Sequence, residues 1–308
     1  MDLILSAQTT IAIASCSGFP YSEISDAPLV WALERRGYHT KKAVWNDPAV
    51  GWETFDACVI RSTWDWHLQP ARFRRWIADV AANTLLLNPP DLAIWGLDKR
   101  YLIELGRAGV PVVPTVVVSP RERVAIPDIA RLHNWSQVVV KPAQGASSYR
   151  TAMIDIDGPD PHAWAKANLD WDGLALIQPF LPSIRHRGEK SVIWIGGEPT
   201  HAVRKLPKAG DFRVQGELGG TARLDDVAAD EREIVRRCME ALPTPAAYAR
   251  VDLVRGPSDE LLVIECEVVE PTLYLEFNPR AAEALAAQIV NACSKGQSTP
   301  SIRGAKSP

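Results

Sequence analysis

Acidic and apolar side chains alternate in two segments near the end of the chain. Residues 248–254 include Asp252, and residues 261–269 include Glu265 and Glu267. Such alternation is typical of β-strands, in which side chains two residues apart lie on one face, so Glu265 and Glu267 share a face. A polar turn joins the two strands as a hairpin. If Asp252 on the partner strand faces the same way, three carboxylates come together.

Three neighbouring carboxylates predict a cation site. Burying carboxylates without a compensating charge is costly, so a converging set needs a positively charged partner. Ligands that are all oxygen atoms favour a hard cation, and Mg²⁺ bound by carboxylates commonly also binds the phosphates of a substrate. The same pattern also fits the solvated face of a two-stranded ribbon, and the two segments alone do not distinguish these interpretations.

A lysine and a loop of small polar residues follow an apolar segment in the middle of the chain. Residues 138–140 are three consecutive valines, which predict a strand buried on both faces. Lys141 at its end must therefore reach solvent or an anion. The loop that follows, residues 143–148, offers backbone N–H groups and hydroxyls that suit phosphate oxygens. This pattern predicts a phosphate site, and the alternative is a hairpin with a solvated lysine at its turn.

Two further segments supply groups that suit a nucleotide. Residues 174–182 form an apolar strand that ends among prolines, where extended backbone would present N–H and C=O groups to an adenine edge. Residues 189–205 predict a hairpin around a Gly-Gly turn. Positive charge is concentrated from Arg204 to Arg213, where it could face the carboxylates through phosphates or a metal. The alternative is a solvated basic loop.

The N-terminal part of the chain alternates predicted strands and helices. The strands are residues 11–15, 39–44, 57–60 and 85–87, with helices at 27–36 and 72–82. This order indicates a parallel sheet covered by helices on both faces. Arg61, Ser62 and Asp65 follow the third strand, where ligands of open parallel sheets bind. We expect these residues to recognise the substrate, with Arg61 holding a carboxylate or phosphate; the alternative is an Arg–Asp pair that caps the loop.

Composition narrows the classes of partner. The 308 residues carry a net charge of −3, which predicts no general attraction to nucleic acid or to membrane surfaces. No apolar run approaches the roughly 20 residues of a membrane helix, and the N-terminus lacks a basic leader. The five cysteines are far apart and mostly set among apolar neighbours, as expected of reduced thiols in a cytoplasmic protein.

The order of these features resembles the ATP-grasp superfamily of carboxylate–amine ligases over about residues 88–293. Closer motifs resemble the subgroup containing the ligase that closes D-cycloserine from O-ureido-D-serine: Arg61-Ser-Thr-Trp-Asp-Trp66, Trp95-Gly-Leu-Asp-Lys99, Gly109-Val-Pro-Val-Val-Pro-Thr115 and Glu265-Cys-Glu-Val-Val-Glu-Pro271. The resemblance implies an α/β protein with the ATP-grasp fold, in which two α+β subdomains clasp ATP. The expected segments are an N-terminal parallel α/β domain (9–97), a small lid subdomain (98–183), a C-terminal catalytic subdomain (184–293) and a disordered tail (294–308).

The resemblance also implies roles for three groups of residues. ATP would be bound by lysines at the α- and β-phosphates, by a loop over the γ-phosphate, by backbone groups at adenine and by a carboxylate at the ribose: Lys99, Lys141, Gln144, Gly145, Ser147, Ser148, Gln178, Pro179, Phe180, Leu181 and Glu189. Two magnesium ions, for which manganese could substitute, would be held by Asp252, Glu265 and Glu267. The transferring phosphoryl group would be stabilised by Lys205, Arg213 and Arg250.

Two positions leave the metal set open. Glu267 stands where many relatives have asparagine, and Glu276 with Asn278 spells the relatives' usual metal pair. Glu265 is nearer to Asp252 along the chain, so a short hairpin brings it opposite Asp252 more easily. We therefore predict Glu265 and Glu267 as the ligands, with Glu276 and Asn278 as the alternative.

The activity implied by the resemblance is ligation driven by ATP. The γ-phosphoryl group would convert a small, amino-acid-like carboxylate into an acyl phosphate, which an amine attacks to form a C–N bond, in one molecule or between two. Positioning and charge neutralisation suffice for phosphoryl transfer, so no nucleophilic side chain is required. The alternatives are a kinase that phosphorylates without ligation and an ATP-binding protein without turnover. A homodimer is a further expectation.

Overall fold

Four parallel strands form the first sheet of the computed structural model, which describes residues 9–18 and 21–297. The strands are β1 (Thr10–Ser15), β2 (His39–Val44), β3 (Ala57–Ser62) and β4 (Leu85–Leu87), and they pair in the order β2-β1-β3-β4. Helices α1 (Tyr21–Glu34) and α2 (Pro70–Asn83) cover opposite faces, because successive side chains of β1 and β3 pack alternately against one helix and the other. The predicted parallel sheet is confirmed.

Two short helices lead out of this sheet, α3 (Pro90–Gly96) and α4 (Tyr101–Arg107). The second sheet follows and is antiparallel: β5 (Val116–Val118), β6 (Gln137–Pro142), β7 (Ala152–Asp155) and β8 (Ala175–Pro179), in the order β5-β8-β6-β7. Helices α5 (Ile126–Leu132) and α6 (Ala163–Ala167) complete it. We call residues 116–179 the lid unit.

The third sheet has five antiparallel strands. They are β9 (Glu189–Ile195), β10 (Glu198–Leu206), β11 (Thr221–Asp225), β12 (Tyr248–Arg255) and β13 (Leu261–Glu267), in the order β11-β10-β9-β12-β13. Helices α7 (Ile184–Arg187), α8 (Ala229–Glu240) and α9 (Pro279–Gln297) accompany it. Both predicted hairpins, β9–β10 at the Gly-Gly turn and the acidic β12–β13, are present.

The first and third sheets share their hydrophobic cores. One cluster joins Ile60 and α4 to Val251, and another joins Ile13 and α9 to Ile193. The lid unit instead has a cluster of its own, which includes Val118, Val138, Ile177 and Trp164. We call residues 9–18, 21–113 and 184–297 the joined body.

Buried polar groups reinforce the junction within the joined body. The side-chain amide of Asn88 donates to the carbonyls of Tyr248 and Val268, each at 2.8 Å, and its oxygen accepts from the N–H of Ala247 at 2.7 Å. The hydroxyl of Tyr248 donates to the carbonyl of Ile60 at 2.7 Å. These hydrogen bonds link the first sheet and Asn88, which follows it, to β12 and to the residue after β13.

We propose a boundary between the joined body and the lid unit that lies later than the predicted position before Asp98. Leu102 and Leu105 of α4 pack in the core shared by the first and third sheets. The N–H of Val113 donates to the carbonyl of Val263 on β13 at 2.9 Å, and the N–H of Val263 donates to the carbonyl of Pro111 at 2.8 Å. The lid unit would then begin after Val113, since α4 and Val113 are packed or hydrogen-bonded to the joined body.

Helix ends account for the remaining differences. Helix α1 begins six residues before the predicted start and contains Pro28, which removes one helical hydrogen bond. Helix α9 continues to Gln297, so residues 294–297 of the predicted tail are helical. Residues 298–308 of that tail lie outside the described residues. The helices described offer no segment with the length and apolar character needed to span a membrane. All five cysteines are buried and unpaired with one another.

Candidate active site

A cavity of about 410 Å³ lies between the lid unit and the third sheet. The lid unit lines it with β6, β8 and the loop between β6 and β7. The joined body contributes β12, β13, the segment after β13 and residues 212–222. The cavity therefore has one wall from each unit. The predicted phosphate loop lies on the lid side, and the predicted acidic hairpin lies on the side of the joined body.

Strand pairing brings the three predicted carboxylates together. Asp252 is opposite Glu265 on the β12–β13 ladder, and Arg250 is opposite Glu267. Asp252, Glu265 and Glu267 each have an oxygen within 4.8 Å of the others. The alternation of strand side chains places all three on one face, since residues two apart point the same way.

Basic side chains hold these carboxylates in place. Arg250 reaches both Asp252, at 2.8 Å, and Glu267, at 2.6 Å. Lys99 pairs with Glu265 at 2.8 Å. Asp252 is fully buried beneath the cavity floor, where Ser191 also donates to it at 2.5 Å. The donors fix the direction of each carboxylate and leave Glu265 and Glu267 on the cavity surface.

The electrostatics of the three carboxylates differ. Burial raises the pKa of Glu267 to about 8, assisted by the charges of Glu265 and Asp252 and opposed by Arg250. Burial also opposes the ionisation of Asp252, but Arg250 and Lys205 outweigh it and hold its pKa well below the usual range. The charges of Glu265 and Asp252 thus disfavour the ionised form of Glu267. A bound cation would favour the ionised form instead. An all-oxygen set of this kind fits Mg²⁺.

Two lysines meet Glu265 from different elements. Lys99, before α4, donates to the carbonyl of Gly145 at 2.5 Å, so it ties the phosphate loop to the acidic hairpin. Lys141, at the end of β6, lines the cavity. Burial lowers the pKa of Lys141, while the nearby Glu265 opposes this shift. Both predicted lysines therefore stand at the carboxylates, across the boundary between the two units.

The loop between β6 and β7 supplies Gly145, Ser147 and Ser148 to the cavity. Ser147 and Ser148 have φ angles of 48° and 56°, in the left-handed region, so the backbone turns sharply here. Gln144 points away instead, and its amide donates to Asp98 at 3.2 Å. Gln144 thus lies outside the cavity lining, and its predicted part in ATP binding stays a prediction.

The predicted adenine segment is partly in place. Gln178, Pro179 and Leu181 line the cavity, but Phe180 does not. The ring of Phe180 packs against Phe212 at 6.0 Å, and its N–H donates to the carbonyl of Gln137 at 2.9 Å. Phe180 therefore offers neither its ring nor its N–H to a base. Apolar side chains form the lining in this region: Val139, Ile184, Phe212, Val214 and Ile264.

Glu189, Lys205 and Arg213 all line the cavity, as predicted. Glu189 and Lys205 are opposite each other on β9 and β10 and form an ion pair, and Lys205 also lies 3.5 Å from Asp252. Burial raises the pKa of Glu189 to about 7, against the charge of Lys205. Asp211 holds the guanidinium of Arg213 at 2.8 Å and 3.1 Å. Arg213 is thus oriented before any ligand binds.

The three residues predicted to recognise the substrate lie outside the cavity lining. Arg61 is 1% exposed, and it contacts Asp26 at 3.2 Å and the carbonyl of Pro271 at 3.1 Å. The hydroxyl of Ser62 also donates to Asp26. Asp65 accepts from the indole of Trp45 at 2.6 Å. The alternative stated above is therefore nearer to the structure: Arg61 forms an internal Arg–Asp pair, with Asp26 as its partner.

The competing metal pair is also absent from the cavity lining. Glu276 borders a groove beside α1, and the amide of Asn278 donates to the carbonyl of Thr200 at 3.4 Å. Five residues to which the sequence interpretation gave no site role also line the cavity: Trp64, Tyr149, Glu270, Thr272 and Tyr274. Most of them come from irregular segments, where no periodic pattern signals which way a side chain points.

Comparisons with known proteins cover most of the chain. A family model described as the ATP-grasp domain of prokaryotic glutathione synthetase matches residues 110–278, and one for the N-terminal domain of D-cycloserine synthetase DcsG matches residues 11–88. The cycloserine biosynthesis protein DcsG of Streptomyces lavendulae is 33% identical over 279 residues, which are 85% of this chain and 93% of that protein. A glutathione synthetase of Prochlorococcus marinus (strain MIT 9313) is 29% identical over 70% of this chain and 66% of its own length.

Solved structures agree with these matches. A crystal structure of D-cycloserine synthetase DcsG has a TM-score of 0.84 and 28% identity, and covers 92% of this chain and 99% of its own. A D-alanine–D-alanine ligase from Bacillus anthracis, at 14% identity and a TM-score of 0.69, covers 94% of this chain and 98% of its own and shares the fold. ATP-grasp ligases use ATP and Mg²⁺, which the charges around the cavity suit. The chain belongs to the ATP-grasp family and is an ATP-dependent, ADP-forming ligase of carbon–nitrogen bonds.

Proposed function

We propose that the chain activates the carboxylate of a small amino acid as an acyl phosphate and closes a C–N bond within the same molecule. The model for this reaction is the formation of the antibiotic D-cycloserine from O-ureido-D-serine. The similarity to D-cycloserine synthetase DcsG along nearly the whole chain supports this choice. The observation that carries the proposal is the meeting of three carboxylates within 4.8 Å with lysines from two units of the fold.

The carboxylates would hold the metal. We assign Asp252, Glu265 and Glu267 to two Mg²⁺ ions, with Mn²⁺ as a substitute. Bound metal neutralises phosphate charge during transfer. Arg250 keeps Asp252 and Glu267 oriented, so the oxygen ligands need little reorganisation when a cation arrives.

The remaining lining residues would bind ATP and the group in transit. Lys99 and Lys141 neutralise the phosphates, and Gly145 with the serines beside it offers N–H and hydroxyl groups to the γ-phosphate. The apolar lining accepts the adenine ring, with Gln178, Pro179 and Leu181 at its edge and Glu189 at the ribose. Charge that develops on the transferring phosphoryl group is stabilised by Lys205, Arg213 and Arg250, which the protein orients in advance.

Arg61, Ser62 and Asp65 act from a distance in this scheme. Arg61 donates to the carbonyl of Pro271, and the residues on each side of Pro271, Glu270 and Thr272, line the cavity. We therefore assign the predicted substrate residues to positioning this segment rather than to contact with the substrate.

The test is release of ADP with and without O-ureido-D-serine, D-serine or D-alanine. Substrate-stimulated release that gives a cyclised product supports the proposal, and a stable phosphorylated amino acid would identify a kinase instead. Asp252→Asn and, as a second variant with a less buried side chain, Glu265→Gln are expected to lower kcat by about 100- to 1,000-fold. Asp226→Asn, at an exposed position, is the control. Unchanged turnover in both site variants would overturn the metal assignment.

Self-association and location are separate proposals. Helix α1 exposes Trp31 and Ile24, at 66% and 60% of their surface, and these large apolar side chains support a homodimer through α1. Light scattering of the wild-type protein and of Trp31→Glu decides this, since the charge would separate a dimer formed there. Buried, unpaired cysteines support a reducing cytoplasm.

A further inference from the structure

Glu270 differs from the other partly buried glutamates around the cavity. Glu189, Glu265 and Glu267 each line the cavity and form an ion pair with a lysine or arginine. Glu270 also lines it and is partly buried, yet no ion pair to a described residue is found for it. It lies outside the group of three carboxylates that approach within 4.8 Å of one another. Glu270 thus has an environment that neither the metal nor the phosphates explain.

Neutral groups of the first sheet hold Glu270 in position. The indole N–H of Trp66 donates to Oε1, and the indole N–H of Trp64 donates to the backbone carbonyl of Glu270 at 3.1 Å. Arg61 fixes the next residue through the carbonyl of Pro271 at 3.1 Å. The side chain is therefore held through Oε1 and remains part of the cavity lining.

The surroundings place Glu270 beside the reacting end of the site. Glu270 lines the same cavity as Lys99, Glu265 and Glu267, which hold the proposed phosphate and metal sites. Trp64, Thr272 and Tyr274 line the same cavity from the joined body. The apolar side chains suited to adenine come from other parts of the chain, namely β6, α7, β13 and the segment before β11. A small polar molecule whose carboxylate met the γ-phosphate would have its other groups within reach of Glu270.

An ionised carboxylate that is partly buried without an ion-pair partner is unfavourable, and a ligand that brings a cation relieves the cost. We propose that Glu270 binds the ammonium group of the amino-acid substrate, so that the enzyme selects α-amino acids with a free amino group near the carboxylate to be activated. The inference rests on the proposed function, because it places the substrate at the γ-phosphate. Charge-assisted hydrogen bonds of this kind are among the stronger ones in proteins.

Glu270→Gln tests the inference with little change in shape. Glutamine keeps an oxygen for Trp66 and loses the negative charge. We expect KM for O-ureido-D-serine to rise about 10- to 100-fold, with KM for ATP changed less than about twofold. Glu198→Gln is the matched control, since Glu198 is an exposed carboxylate at the start of β10 and lies outside the cavity lining. It should leave both constants unchanged.

Blocking the amino group of the ligand gives an independent readout. The wild-type protein should bind N-acetyl-D-serine much more weakly than D-serine. In Glu270→Gln the difference in affinity between these two ligands should largely disappear. A fall in kcat without a change in KM for the amino acid would identify Glu270 as a proton acceptor and overturn the ammonium assignment. An equal rise in KM for ATP would overturn it too, because Glu270 would then serve the nucleotide.

A binding titration separates this inference from the proposed function. D-serine and O-ureido-D-serine are titrated calorimetrically into wild-type and variant protein with Mg²⁺ and a non-hydrolysable ATP analogue. If the wild-type protein releases no ADP with any amino acid, the proposed function fails, whereas weaker binding to Glu270→Gln alone still supports the role of Glu270. Equal affinity of wild-type protein and variant, or no binding to either, overturns it.

Discussion

The lid unit and the joined body are built in different ways. The joined body buries two clusters that each include residues of both its sheets, and Asn88 and Tyr248 connect the sheets by hydrogen bonds. The lid unit is closed around a separate cluster and meets the joined body mainly at the cavity. The carboxylates therefore belong to the more extensively packed part, and the phosphate loop belongs to the smaller one. This difference indicates that nucleotide binding changes the position of the loop more than that of the carboxylates.

The largest expected effect concerns the junction between the two sheets of the joined body. Asn88→Ala leaves the carbonyls of Tyr248 and Val268 and the N–H of Ala247 without their partner. We expect a loss of about 3 to 6 kcal/mol in the free energy of unfolding, since each buried unpaired group costs about 1 to 3 kcal/mol. Urea denaturation measures this loss.

An asparagine on the surface provides the control. The amide of Asn83 donates only to the carbonyl of Asp79 at the exposed end of α2, so Asn83→Ala should cost less than about 0.5 kcal/mol. A loss below about 1 kcal/mol in Asn88→Ala would show that the two sheets do not depend on this residue.

Arg123 gives the corresponding test in the lid unit. It is 4% exposed, lies 4.5 Å from the ring of Trp171 and donates to the carbonyls of Asn168, Trp171 and Gly173. Arg123→Met should lower the free energy of local opening by about 2 to 4 kcal/mol, because three carbonyls lose a charged donor. Hydrogen exchange of amides in residues 116–179 should accelerate, while exchange in β9 and β12 stays the same.

Arg121→Met, at an exposed position two residues away, is the matched control and should change neither region. If exchange in β9 and β12 accelerates as much as in the lid unit, the two units open together. The distinction between them would then be lost.

A contact across the cavity mouth should have the smallest effect. The rings of His67 and Tyr149 are 4.8 Å apart and join the first sheet's loop to the phosphate loop. Tyr149→Ala should raise KM for ATP about 2- to 10-fold, as expected from the about 0.5 to 1.5 kcal/mol of a ring pair. Tyr149→Phe keeps the ring and should change KM less than twofold.

The double variant His67→Ala/Tyr149→Ala distinguishes a contact between the units from direct binding of ATP by Tyr149. If the two rings act together, the double variant is no worse than either single variant. Additive losses would mean that the rings act separately, and the contact would not contribute to closure.

Local patterns predicted the parts of the fold that depend on neighbouring residues. The alternation around Asp252 and Glu265 and the valines before Lys141 identified strands, and the side of the strand followed from its period of two. The ATP-grasp fold and the ligase class were implied by the resemblance of this order of segments to a known family. The grouping of Asp252, Glu265 and Glu267 followed from the period of two in paired strands.

Contacts between distant segments were not predictable in this way. Arg61 follows a strand in a position typical of a ligand residue, but its partner Asp26 belongs to α1, whose packing a local pattern does not reveal. The hydrogen bond from Gln144 to Asp98, which precedes α4, also has no local signal in the sequence. The orientation of Glu270 depends on Trp66 of the first sheet. In all three cases the side chain is oriented by a hydrogen bond to a residue far away in the sequence.

Because all five cysteines are buried, the folded protein should react only slowly with thiol-specific dyes. Burial raises the pKa of Cys238 to about 12 and that of Cys293 to about 11, so little reactive thiolate forms near neutral pH. Cysteines introduced at Leu132 on the lid unit and Leu224 on the joined body, which are 80% and 54% exposed, would accept a donor and an acceptor fluorophore. The distance between the two units could then be followed optically in a chain that keeps all its native cysteines.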